Sequence, residues 1–240
     1  MTPSSKKGND LPTDLKDYLP ERTVDAWVKL ARLVPLSGYL AGGTGLTVYL
    51  RHRISRDLDF MMAEPEDLSR LRHEIGRLGK FAVTHQDEAT LNGVFEGTRP
   101  QFLEATGQKI VGTFEVVAGI GVASVEDIMA MKLKVIGDRG ELRDYFDLME
   151  IDQRGIVPVG EGLQLFVERY DPPNPEESLT TIVKSLGGHR SRLTGGTSRV
   201  HLCFRGIVFP RKRTERVLAV GVCGRCSGPR VTGGDAGSTN

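Results

Sequence analysis

The chain contains no apolar run that approaches the roughly 20 residues needed to span a bilayer, which excludes a membrane-spanning helix. Its first ten residues are mostly polar and lack the apolar core of a secretory signal. No internal repeat is present. We therefore expect a cytoplasmic protein with no membrane partner, in which residues 1–10 form a disordered lead-in.

Cysteine is absent from the first 200 residues, and the balance of charge changes shortly before the first cysteine. Residues 1–187 hold 22 Lys/Arg and 29 Asp/Glu, whereas residues 188–240 hold 10 Lys/Arg and 2 Asp/Glu. Ten of the last 53 residues are glycine. A composition break this sharp marks a boundary. We predict one domain over residues 11–187 and a basic, irregular tail over residues 188–240.

Apolar periodicity divides the domain into helices and strands. Ser124 with Asp127 three positions later has capping-box spacing, and Pro35 stops the first helix. The order predicts an α/β (α+β) fold, a mixed β-sheet flanked by helices with a helical C-terminal part over about 124–187. The predicted helices are 15–33, 44–51, 67–78, 124–136, 141–151, 163–170 and 178–186, and the predicted strands are 39–41, 56–62, 81–84, 90–95, 100–104 and 113–117.

Asp57 and Asp59 lie one residue apart on a predicted strand, so both side chains point to one face of the sheet. Such a pair is often two solvent-facing acids, but adjacent carboxylates also bind Mg²⁺, which completes its shell with water and substrate phosphates. Upstream, Gly42 and Gly43 form a turn whose backbone N–H groups can approach a phosphate without a Cβ in the way. Thr44 either donates to a phosphate or caps the following helix. Together these features predict nucleotidyl transfer.

The pattern resembles the nucleotidyltransferase superfamily and, more closely, the AbiEii/AbiGii-type nucleotidyltransferase toxin family. Two blocks at the expected separation carry the resemblance, which covers roughly residues 11–187. The first block is Leu40-Ala41-Gly42-Gly43-Thr44, Leu46, Leu50, His52-Arg53, Ser55 and Asp57-Leu58-Asp59-Phe60. The second block is Ala123-Ser124-Val125-Glu126-Asp127-Ile128, Met131-Lys132-Leu133, Arg139 and Arg143-Asp144-Tyr145-Phe146-Asp147-Leu148.

The resemblance implies a nucleotidyltransferase-like sheet and a set of catalytic residues. Asp57 and Asp59 would hold Mg²⁺, which bridges the triphosphate as pyrophosphate leaves. Lys132 would place a charge on the phosphates, although most helix lysines are simply solvated. Asp144 would orient Lys132, accept a proton from the attacking hydroxyl, or do both. The residues expected to bind the nucleotide are Gly42, Gly43, Thr44, Ser55 and Arg139.

Several neighbours of this set have open roles. Arg143 is a second candidate for contact with phosphate or acceptor. For Asp147, one turn from Asp144, a structural role is the alternative. Arg53 is expected to support Asp57 through a salt bridge rather than to touch substrate.

The superfamily usually carries a third acid on a neighbouring strand, but here the expected position is Gln101. Glu104 and Glu115 are the nearest substitutes. The number of metal ions, one or two, therefore stays open.

Three interpretations of the tail are open. Cys223-Gly224-Arg225-Cys226, with Cys203 and His201, has metal-like spacing, although a zinc site needs better local spacing. Arg211-Lys212-Arg213 suits an arm that binds nucleic acid. We favour the third interpretation, out-of-frame sequence from GC-rich DNA, because the family continues with an acidic, aromatic stretch and a final helix. The loss of that helix would leave Leu163, Phe166 and Leu186 partly exposed.

The sequence therefore predicts an enzyme that moves a nucleotide from an NTP to an acceptor. The resemblance implies a toxin of a toxin–antitoxin or phage-defence pair, with a cognate antitoxin as partner. The 3′ end of tRNA is the favoured acceptor, although the acidic domain argues against a broad RNA-binding face. The alternatives are nucleotidylation of a protein or small molecule, and an inactive NTP-binding pseudoenzyme.

Overall fold

The computed structural model describes the backbone of residues 11–192 and the side chains of residues 11–187. Predictions for residues 1–10 and 193–240 lie outside the described residues. Within the described range the helices are α1 Thr13–Lys16, α2 Glu21–Leu30, α3 Gly42–Leu50, α4 Leu68–Leu78, α5 Val125–Asp138, α6 Leu142–Gln153, α7 Val159–Tyr170 and α8 Pro175–Arg192. The strands are β1 Gly38–Ala41, β2 Asp57–Met62, β3 Phe81–Gln86, β4 Thr90–Phe95, β5 Arg99–Glu104, β6 Glu115–Val117 and β7 Ile120–Val122.

The seven strands form one mixed sheet in the order β3-β4-β5-β2-β1-β7-β6. The central strand β2 is antiparallel to β1 and parallel to β5. β7 in turn runs parallel to β1. Because β1 and β2 are antiparallel, the end of β1 that leads into α3 lies beside the beginning of β2. The predicted fold class is confirmed.

Strand alternation divides the core between the two faces of the sheet. Leu58 and Phe60 are fully buried on one face, where they pack with residues of α1, α2 and α4 such as Trp27. Tyr39 and Met61 belong to a second cluster that contains residues of α3 and α5 to α8. Full burial of each such large side chain stabilises the fold by about 1.5–3 kcal/mol. The odd-numbered positions of β2, which include Asp57 and Asp59, therefore face the helical C-terminal part.

The predicted first helix over 15–33 is wrong, because the structure divides it into α1 and α2. Pro20 lies at the break in an extended conformation, with φ −54° and ψ 145°. Proline has no N–H to donate and disfavours helical geometry in the residue before it. The prediction also missed β7, whose three residues are too short to show a period.

The expected exposure of apolar residues in the helical part is wrong for two of the three. Phe166 is 5% exposed and Leu186 is 3% exposed, because both belong to the cluster around α5. Only Leu163 is partly exposed. The last helix also continues past the predicted end at residue 186, to Arg192.

No helix among the described residues is long and apolar enough to cross a membrane.

Candidate active site

The turn between β1 and α3 brings the backbone against the carboxylate of Asp59. Gly42 has φ +63°, and a Cβ at this position would overlap the carboxylate of Asp59. A Cβ at Gly43 would overlap the guanidinium of Arg53. No side chain caps the N-terminus of α3, so its first N–H groups and its helix dipole are available to an anion. The glycine turn therefore places these N–H groups next to the carboxylate of Asp59.

Asp57 and Asp59 are both half-buried at the beginning of β2. Burial raises the pKa of Asp59 to about 6; the charge of Lys132 opposes this rise and the charge of Asp57 adds to it. The raised pKa means that nearby positive charge does not fully compensate for the desolvation of the Asp59 carboxylate. A divalent cation held by both carboxylates would compensate for it.

Two carboxylates suit Mg²⁺, which needs few protein ligands, better than they suit a metal whose ligands all come from the protein. The residues that the structure describes contain no group of three or more His, Cys, Asp or Glu side chains placed to hold a metal. Mg²⁺ binds through one or two carboxylates and takes its other ligands from water and substrate phosphates.

The place of the third acid is occupied by amides. β5 pairs Gln101 with Asp59, and β4 pairs Asn92 with Gln101, so the three side chains form a row on one face. Oδ1 of Asn92 is buried without a hydrogen-bond partner in the structure.

Neither proposed substitute for the third acid joins the pair. Glu104 pairs with Met62 at the other end of β2, on the opposite face. Glu115 lies on β6, three strands from β2, which is roughly 14 Å at the usual strand spacing. The position of Asn92 beside Gln101 was not predicted, because no local sequence motif marks it.

Lys132 is a buried residue of α5 and is fixed between two carboxylates. Its Nζ lies 2.7 Å from Oδ1 of Asp144 and 2.8 Å from Oδ2 of Asp147. The second oxygen of Asp144 accepts a hydrogen bond from the backbone N–H of Glu141 at 3.2 Å, which completes the capping box of α6. Lys132 and Asp144 are therefore brought together, and the charge of Lys132 opposes the rise in the pKa of Asp59.

Asp147 is the centre of a buried network that links the loop before β2 to α6. It accepts hydrogen bonds from Nε of Arg53 at 2.6 Å and from Nη2 of Arg53 at 2.8 Å, and His52 Nε2 lies 2.8 Å away. Burial pushes the pKa of Asp147 upward, but the hydrogen bonds from Arg53 and His52 and the charge of Lys132 outweigh it and hold the pKa below its usual range. The expected Arg53–Asp57 salt bridge is wrong, because Arg53 pairs with Asp147.

Thr44 and Ser55 are both buried, and their hydroxyl groups are used inside the protein. The two hydroxyls share a hydrogen bond of 2.7 Å, and Thr44 also donates to the backbone carbonyl of Asp57. Their side chains therefore hold the start of β2 against α3. The expectation that Thr44 caps α3 is wrong, because no side chain caps this helix. Contact of Thr44 and Ser55 with nucleotide stays a prediction.

The two arginines singled out in the sequence have different positions. Arg143 lies 3.4 Å from Asp57, measured from Nη1 to Oδ2, and 2.9 Å from Glu141, measured from Nε to Oε2. Arg139 is 66% exposed in its side chain, and its described ion partner is Glu141 at 3.9 Å. Its role in binding nucleotide stays a prediction.

The structure thus contains a glycine turn at a helix N-terminus, an aspartate pair on the adjacent strand and a buried lysine–aspartate pair. The family described as nucleotidyl transferase AbiEii toxin of a type IV toxin–antitoxin system matches residues 36–115. An uncharacterized protein, aq_aa25 of Aquifex aeolicus (strain VF5), is 32% identical over 151 residues, which are 62% of this chain and 71% of that protein. The chain belongs to the AbiEii nucleotidyltransferase toxin family.

The solved structures that match this chain are more distant in sequence. JHP933 from Helicobacter pylori is 17% identical with a TM-score of 0.43, and the match covers 77% of this chain and 95% of that one. The nucleotidyltransferase toxin MenT4, Rv2826c of Mycobacterium tuberculosis H37Rv, is 19% identical with a TM-score of 0.41, over 62% of this chain and 65% of that one. A CCA-adding enzyme in complex with CTP is 13% identical with a TM-score of 0.36, over 73% and 56%.

Proposed function

We propose that this nucleotidyltransferase depends on Mg²⁺ and transfers a nucleotidyl group from an NTP to a hydroxyl of an acceptor, with the 3′ end of tRNA as the favoured acceptor. The observation that carries the proposal is the contact between the glycine turn and the aspartate pair. Gly42 approaches Asp59 so closely that no side chain fits between them. A triphosphate on the N-terminus of α3 would therefore lie directly beside the two carboxylates.

In this proposal Asp57 and Asp59 hold Mg²⁺, which supplies positive charge to the triphosphate as the leaving group departs. The acceptor oxygen forms a bond to the α-phosphorus while the bond to the pyrophosphate oxygen breaks. Gly42 and Gly43 offer backbone N–H groups to phosphate oxygens. The chain requires no covalent intermediate, because its residues act by positioning and charge.

Lys132 and Asp144 complete the site as a fixed pair. Lys132 provides charge near the transferred phosphate, and Asp144 orients it through the 2.7 Å contact. The proton of the attacking hydroxyl passes to Asp144 or to solvent. With Gln101 in place of the third acid, we propose one protein-held Mg²⁺ rather than two.

The choice of tRNA rests on the family, some of whose members extend the 3′ end of tRNA. NTP and tRNA are cytoplasmic, so we propose that the protein acts there and that a cognate antitoxin limits its toxicity.

The test supplies each of the four α-labelled NTPs, with Mg²⁺, to total tRNA, to a protein extract and to small-molecule acceptors. We expect label in tRNA with the wild type and at least about a 100-fold loss with Asp57→Asn or Asp59→Asn. Asp138→Asn, which removes an exposed charge on α5, is the matched control and should retain activity. Label in protein or a small molecule would favour the alternative acceptor. NTP binding without any transfer would identify a pseudoenzyme.

A further inference from the structure

Arg143 is the second residue of α6, and its guanidinium lies next to Asp57 on β2. Its Nη1 is 3.4 Å from Oδ2 of Asp57, and its charge also acts on Asp59. The Nε of the same guanidinium is held at 2.9 Å by Oε2 of Glu141. One edge of Arg143 is therefore anchored, while the other edge neutralises a carboxylate of the aspartate pair.

The contact between Arg143 and Asp57 is the weaker of the two contacts of this guanidinium. Its N···O distance is 3.4 Å, whereas the contact with Glu141 measures 2.9 Å. Because Coulomb attraction falls with distance, the contact with Asp57 is the one that a competing ion breaks more easily. Lys132, in contrast, is buried and has short contacts with two carboxylates, so it is fixed in place.

A divalent ion and a guanidinium compete for the same oxygen of Asp57. When a metal neutralises Asp57, the Nη groups of Arg143 lose their partner but stay at the site, because Glu141 still holds Nε. A triphosphate brings new anionic oxygens to this place, and the planar fork of arginine suits phosphate oxygens.

We propose that Arg143 is an exchangeable counterion: it pairs with Asp57 in the nucleotide-free protein and transfers to the triphosphate when the metal and NTP bind. This inference rests on the proposed function, because it requires the metal at Asp57. It makes Arg143 a positioning residue with two opposite effects. It weakens the binding of free metal and strengthens the binding of nucleotide.

The experiment measures Mn²⁺ binding to the nucleotide-free protein by electron paramagnetic resonance, and the Michaelis constant for NTP separately. Arg143→Ala should bind Mn²⁺ about 3- to 10-fold more tightly than the wild type, because a positive charge beside the ligand is removed. The same variant should raise the Michaelis constant for NTP about 10-fold. Arg143→Lys keeps the positive charge but not the planar guanidinium. Its Mn²⁺ affinity and its Michaelis constant for NTP should both lie between those of the wild type and of Arg143→Ala. Arg70→Ala on α4, where Arg70 pairs only with Glu74 among the described ion pairs, is the control for the loss of one charge.

Asp57→Asn separates failure of this inference from failure of the proposed function. If Asp57→Asn abolishes Mn²⁺ binding but Arg143→Ala leaves it unchanged or weaker, the counterion role is wrong and the metal site stands. If Asp57→Asn binds Mn²⁺ as the wild type does, the metal site itself is wrong, and the counterion role with it. Tighter Mn²⁺ with weaker NTP in Arg143→Ala supports the exchange.

Discussion

At the scale of single residues, two aspartates of the site have opposite environments. Asp59 is desolvated and its pKa is raised to about 6, whereas Asp147 is surrounded by donors and its pKa is lowered. Ionisation of Asp59 therefore costs free energy in the folded protein, whereas ionisation of Asp147 stabilises the fold. The two signs separate a desolvated carboxylate from one whose charge is matched by Arg53 and Lys132.

Asp59→Asn should therefore stabilise the metal-free protein at neutral pH. An acid with a raised pKa retains its proton in the folded state between about pH 4 and 6, so its contribution to the free energy of unfolding falls as pH rises through that window. A shift of about two units corresponds to about 1–3 kcal/mol after allowance for solvent screening. Urea unfolding at pH 7.5 should show this gain, and at pH 3.5 the two proteins should have equal stability.

Added Mg²⁺ should reverse the order of the two proteins at pH 7.5, because it binds the folded wild type and not the variant. A destabilised Asp59→Asn protein without metal would contradict the assigned environment.

Lys132→Ala should lose stability as well as activity. Most helix lysines are solvated, but the structure places Lys132 between Asp144 and Asp147. Its removal leaves two carboxylates close together in a buried site, which costs about 2–4 kcal/mol.

Lys134→Ala is the matched control, because Lys134 lies on the same helix in an exposed pair with Asp138; it should change stability by less than about 0.5 kcal/mol. Chemical denaturation of both variants measures the difference. Equal stability of the two would return Lys132 to the class of solvated lysines.

At the scale of elements, the sequence predicted the glycine turn, the aspartate strand and the helix that bears Lys132. These have strong local signals: paired glycines, alternation and a capping box. It failed at Pro20, where an apolar stripe masks a helix break, and at β7, which forms because β1 and β6 lie on either side of it. It also could not place Arg143 against Asp57, since that contact joins residues 86 positions apart.

Gly42→Ala tests whether the turn is required for its close approach or only for its backbone angle. The added methyl meets the Asp59 carboxylate, so both activity and stability should fall. Gly155→Ala is the matched control, because Gly155 has a similar φ of +69° but nothing within 4 Å of a Cβ.

The control should lose about 1–2 kcal/mol from backbone strain alone, with activity retained. Gly42→Ala should lose more stability than this and most of the transfer activity, as measured by denaturation and by the label assay. The same loss in both variants would mean that the approach to Asp59 is unimportant.

At the scale of the whole molecule, the helices α5 to α8 bury most of their apolar side chains against one another. α7 packs so tightly on α5 that a Cβ at Gly162 would overlap Met129, and α8 covers the same core through Ile182 and Leu186. The apolar surface that a missing terminal helix was expected to leave open is therefore mostly covered.

A chain that ends at Arg192 should consequently fold as well as the full chain. Truncation at residue 187, the boundary that composition predicts, would cut α8 before its last five residues, so the sharper test removes residues 193–240 only. We expect a melting temperature within about 2 °C of the full chain, because both described core clusters are built from residues between Leu11 and Leu186. The gene itself supplies the second measurement: if the tail is out of frame, one of the other two frames beyond codon 187 encodes an acidic, aromatic segment with helical periodicity. Unfolding on truncation, together with no such segment in either frame, would make the tail a genuine basic appendage that the domain needs.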